Sequence, residues 1–115
     1  MSEEKPRPPG ATTIAPNVLL TIIRKTTEQT PGVCHLSPAP GGVDRLVHRS
    51  QSQGIRLDVQ EGRVYVDLYV VLQPDVNLRE VSRTIQQRVA RAIAEMVGME
   101  VGRVNIHIED IALDE

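Results

Sequence analysis

The sequence predicts an α/β (α+β) domain: a small antiparallel three-stranded sheet with two helices packed on one face, in the order helix, strand, strand, helix, strand. Three observations carry that expectation. Apolar residues alternate with polar ones over 55–60, 64–72 and 104–108, the two-residue period of a half-buried strand. Two other stretches, one early and one late, carry apolar residues at three- and four-residue spacing, the period of an amphipathic helix. The chain has 115 residues, 40% of them apolar and 24% charged, enough for one core and not for two.

Residues 1–11, with Pro6, Pro8, Pro9 and Gly10 among charges, read as a disordered tail. A lead-in strand is expected over 12–15. Pro16 suits the first turn of a helix, where its missing N–H costs nothing, and Val18, Leu19, Ile22 and Ile23 supply the stripe. Pro31-Gly32 ends it. The next segment is rich in Pro and Gly and reads as a long connection, with a helical turn expected over 43–49 from the spacing of Val43, Leu46 and Val47.

From Gly54 the pattern is firm. Ile55, Leu57 and Val59 alternate with Arg56, Asp58 and Gln60; "QEGR" makes a turn; and "VYVDLYVVL" returns antiparallel. The second helix opens at Asn77, with Glu80 three residues on as in a capping box, and closes at Gly98. Its expected buried stripe is Leu78, Val81, Ile85, Val89, Ala92, Ile93 and Met96. Val104, Ile106 and Ile108 form the inner face of the last strand, expected beside the first strand in the sheet order 3-1-2. The domain is expected to span 12–111, and 112–115 to be a short acidic tail.

These segments together resemble one family. "IAP" at 14–16, "PGV" at 31–33, "VYVDLYVVL", "VN" at 76–77 and "MEVGRVNIHIEDI" at 99–111 are similar to the alkaline shock proteins of the bacterial envelope stress response. The resemblance implies a cytoplasmic α/β domain without catalytic residues or cofactor. It also implies function through self-association as a homo-oligomer, or through an integral-membrane partner that anchors the domain under the membrane.

The residues themselves bound the chemistry in the same direction. Net charge is −2, so the whole chain has no electrostatic pull toward nucleic acid or anionic lipid. The opening residues lack the apolar core of a secretory signal, and no apolar run reaches the ~20 residues that cross a bilayer. A cytoplasmic protein without direct membrane insertion is expected. Cys34 is the single cysteine, which excludes an internal disulfide. With His35 beside it, it falls short of the four ligands of a structural zinc site and reads as a lone, partly buried thiol.

Two surfaces remain as candidates for protein contact. The outer face of "VYVDLYVVL" presents Tyr65, Asp67 and Tyr69, and these tyrosines are the only aromatic residues of the chain. Tyrosine suits an interface because it joins a large apolar ring to a polar tip. On the second helix, Arg79, Arg83, Gln87 and Arg91 line the side away from the core at four-residue spacing, a basic face for an acidic partner. The alternative class is a nucleic-acid-binding module on the tyrosine face, and Asp58, Asp67 and Glu109 argue against it by repelling phosphate. Asp67 and His107 fall on one face of the sheet, but the order 3-1-2 keeps their strands apart. No nucleophile–base or metal-ligand spacing appears, so no enzyme activity is expected.

Overall fold

The computed structural model describes residues 13–38, 49–52 and 54–112. The tail over 1–11, the expected turn at 43–48 and the end of the chain beyond Ala112 lie outside the described residues. Seven elements follow in order: α1 (Pro16–Glu28), β1 (Val33–Leu36), β2 (Arg49–Ser52), β3 (Ile55–Gln60), β4 (Arg63–Leu72), α2 (Leu78–Val97) and β5 (Glu100–Ile111). The α+β class holds, with two helices and the three strands read from the sequence. Residues 13–15 are not a strand; Ala15 is instead the N-cap of α1, and Pro16 stands at the start of the helix. Arg49, expected in a helical turn, begins β2.

The sheet is larger than expected because it gains β1 and β2, making five strands. Its organising element is β4. Along one edge β4 pairs antiparallel with β3 through residues 63–68 and with β1 through 70–72. Along the other edge it pairs parallel with β5 through its whole length, from Arg63↔Glu100 to Leu72↔Ile111. The last strand therefore lies beside β4 and not beside β3, which corrects the order 3-1-2. The reason is that β3 has its outer edge filled by β2. The ten-residue β4 and the twelve-residue β5, by contrast, match along their length.

The inner face of β4 (Val64, Val66, Leu68, Val70 and Leu72) is completely buried and packs with Ile55, Leu57 and Val104 against both helices. Each helix buries a strict i+4 row. In α2 this is Val81, Ile85, Val89 and Ile93, continued by the partly buried Val97. In α1 it is Leu19, Ile23 and Thr27, with Leu20 alongside. Three residues expected in these stripes are exposed instead: Val18 at 47%, Leu78 at 37% and Met96 at 68%. Asn77 accepts the Glu80 N–H at 3.0 Å, and Gly98 ends α2 in the left-handed conformation, so the caps fall where the sequence puts them.

Candidate functional site

The outer face of the sheet is built in cross-strand rows. The register places Asp58, Tyr65 and Arg103 in one row and Arg56, Asp67 and Asn105 in the next; Tyr69 and His107 follow. Oppositely charged side chains thus sit on adjacent strands, the arrangement that lets a sheet carry many charges at little cost.

Parallel pairing of β4 with β5 makes Asp67 the hub of this face. Asn105 Nδ2 donates to Asp67 Oδ1 at 3.1 Å. His107 Nε2 lies 3.0 Å from the same oxygen, a distance at which an Nε2–H donates. The His107 ring stacks on Tyr69 at 4.5 Å between centroids with planes 12° apart, and the Arg56 guanidinium stands 5.8 Å from the Tyr69 ring centre. Asp67 and His107 are therefore partners, against the expectation that their strands are apart. The two-residue period places both on one face; the neighbour of β5 decides whether they meet.

This packing changes the role of Tyr69. It lies on the outer face as expected, but at 7% exposure it is covered by its neighbours and does not project. Tyr65 is half-buried and lies across β5 at a bulge, where Val64 faces Val101 and Tyr65 faces Arg103. The bulge residue is Gly102, and a Cβ there would sit 2.5 Å from Tyr65 Cε2. Glycine is what lets the ring lie flat over the neighbouring strand. Beyond it, Arg63 Nε bonds Glu100 Oε1 at 3.2 Å. That carboxylate, with the Tyr65 hydroxyl, raises the Arg63 pKa above its ordinary value.

Between Tyr65, Asp67, Arg103 and Asn105 the face dips into a depression of ≈ 180 Å³, smaller than the ~300–1,000 Å³ of small-molecule pockets. Among the described residues no three His, Cys, Asp or Glu side chains come together in a metal-binding group. Cys34 is exposed and not partly buried as expected, because β1 shifts register between Val33 and His35 and turns both Cys34 and His35 outward.

Asp67→Ala would leave Asn105 and His107 without their acceptor. A loss of about 0.5–1.5 kcal/mol is expected, since water can reach both partners. Thermal unfolding should show it as a lower Tm. An unchanged Tm would mean that Asp67 does not organise this face.

The second surface is on α2. Arg79, Arg83, Gln87 and Arg91 are all exposed. Arg91 Nε bonds Glu95 Oε2 at 2.9 Å, and this hydrogen bond raises the Arg91 pKa. On the flank toward α1, Arg88 Nη1 approaches Gln29 O at 3.5 Å. Among the described residues, Arg79 and Arg83 have no carboxylate partner. The helix thus holds, among the described residues, two guanidinium groups without a carboxylate partner, one turn apart and away from the sheet.

Comparison with known proteins agrees with this architecture. The model of the alkaline shock protein 23 family, described as having a cell envelope-related function, matches residues 4–113. The chain belongs to this family. The protein Spy1535 of Streptococcus pyogenes serotype M6 is 35% identical over 107 residues, covering 92% of this chain and 82% of that protein. YqhY of Bacillus subtilis strain 168 is 25% identical over 107 residues, covering 91% and 79%. Among solved structures, the zinc form of a MamM CTD variant superposes with a TM-score of 0.53 at 11% identity, covering 86% of this chain and 89% of that one. At that identity the likeness is one of fold. No helix among the described residues is long and apolar enough to cross a membrane.

Proposed function

We propose that this protein is a non-enzymatic contact module of the cell envelope, working in the cytoplasm through self-association and through docking to a membrane-anchored partner. The observation that carries the docking role is the exposed guanidinium pair of Arg79 and Arg83 on a rigid twenty-residue helix. Exposed arginines held one turn apart suit an acidic segment, because each can grip a carboxylate with two parallel N–H bonds. The outer sheet face supports the same reading from the other side. Its central carboxylate is already bonded by Asn105 and His107, and its depression is too small to hold a substrate-sized molecule. Family membership supplies the link to the envelope.

The test is charge reversal. Arg79→Glu combined with Arg83→Glu should cut recovery of a membrane-anchored partner roughly tenfold or more, as like charges then face the acidic segment. Thermal stability should stay within about 0.5 kcal/mol, because both positions are exposed. Undiminished recovery would remove α2 from the account.

A further inference from the structure

We propose that two copies of this chain associate by pairing their β5 strands antiparallel, edge to edge, with Ile106 on the two-fold axis. The inference deepens the self-association part of the reading above and rests on it.

The first observation is an unfilled edge. Among the described residues β5 pairs only with β4, so one side of a twelve-residue strand has no neighbour. An open edge presents a row of backbone donors and acceptors to another strand. Hydrogen bonding along β4 shows which groups these are. Tyr69 uses its N–H and C=O toward Gly54 and Ser37 on the β1/β3 side, while Leu72 O accepts the Ala112 N–H on the β5 side. Alternation then turns the even-numbered residues of β4 toward β5. In parallel register this leaves the N–H and C=O groups of Val104, Ile106 and Ile108 on the free edge. The side chain of Gln86 agrees, since it reaches from α2 to donate to Val104 O at 3.0 Å.

The second observation selects the occupant. When β5 meets itself about Ile106, Val104 falls opposite Ile108 of the second copy and Ile106 opposite itself. These are the residues whose backbone groups face outward, so they form the hydrogen-bonded pairs of an antiparallel ladder. The Ile108 N–H of the second copy replaces the Gln86 side chain as the donor to Val104 O. On the inner face the exposed Ile108 and half-buried Ile106 gain apolar neighbours. On the outer face Arg103 falls opposite Glu109 of the second copy, and Asn105 opposite His107. Opposite charges thus meet at each end of the paired stretch, where Glu109 stands at the second bulge. A register slipped by two residues would lose this match. The bulges at Gly102 and Glu109 bound the regular stretch that pairs.

The experiment is sedimentation equilibrium of the full chain over a concentration series, with thermal unfolding as a check that each variant is folded. Wild-type protein should dimerise. Arg103→Glu alone and Glu109→Arg alone should each raise the dimer Kd roughly tenfold, because the two-fold repeats every clash. The double variant, carrying both substitutions, should return to near the wild-type Kd. A dimer indifferent to all three variants would overturn the β5 pairing while leaving self-association by another surface. A wild-type chain that stays monomeric would overturn self-association itself and leave the docking role of α2 intact.

Discussion

Gly54→Ala should destabilise the fold more than any other glycine substitution among the described residues, by about 2–5 kcal/mol. β1 and β3 lie end to end along one edge of β4, and Gly54 sits at their junction. Its carbonyl accepts the Tyr69 N–H at 2.9 Å, and Ser37 N–H bonds Tyr69 O at 2.8 Å, so three chain segments meet there. A Cβ on Gly54 would lie 2.6 Å from Ser37 O and 2.8 Å from Leu36 Cβ, and the backbone has φ +77. The left-handed conformation costs an alanine about 1–2 kcal/mol, and crowding against backbone adds about 1–3 kcal/mol. Thermal unfolding should show a drop on the order of 10–25 °C. Gly62→Ala is the control. It has nearly the same φ, +78, but nothing within 4 Å of its Cβ position, so only the conformational cost of about 1–2 kcal/mol applies. Equal losses at the two sites would show that the junction is not tight.

Ile85→Ala and Met96→Ala should differ by several kcal/mol although both residues fall on the apolar stripe read from the sequence. Ile85 is fully buried in the core shared by the helices and the sheet. Its truncation removes buried methylenes and leaves a cavity, for about 2–5 kcal/mol. Met96 is 68% exposed, and its truncation should stay within about 0.5 kcal/mol. Urea unfolding with an unchanged m-value would measure both. A large loss at Met96 would contradict the assignment of Val97 as the residue that continues the buried row.

That contrast shows how the sequence was legible and where it was not. Strict alternation made β4 plain, and Asn77 with Gly98 marked the ends of α2, because each is a local rule with a local cause. The helical stripes were read more broadly than the structure uses them. Spacing of three or four residues admits Val18 and Met96, whereas packing on the sheet selects the i+4 rows 19-23-27 and 81-85-89-93. β1 and β2 were missed because "VCHL" and "RSQS" have no alternation to reveal them.

The same gap explains the outer face. Without β1 and β2 the outer edge of β3 looks free, and β5 then fits beside β3 as well as beside β4. Alternation places Asp67 and His107 on one face; their hydrogen bond, and that of Asn105, follow from the parallel pairing of β5 with β4. Tyr69 looked exposed for a related reason: nothing local in the sequence says that His107 stacks on it. The arginine face of α2, by contrast, was readable in full, since helix geometry alone sets which residues share a side.

The central claim is that this chain works by contact at the envelope. Its most direct test is cross-linking in the native cell followed by capture of the chain from separate membrane and soluble fractions. Cross-links are expected to a second copy and to one membrane-anchored protein through an acidic cytoplasmic segment, the latter lost with Arg79→Glu and Arg83→Glu. Recovery of the chain alone, monomeric in both fractions, would contradict it.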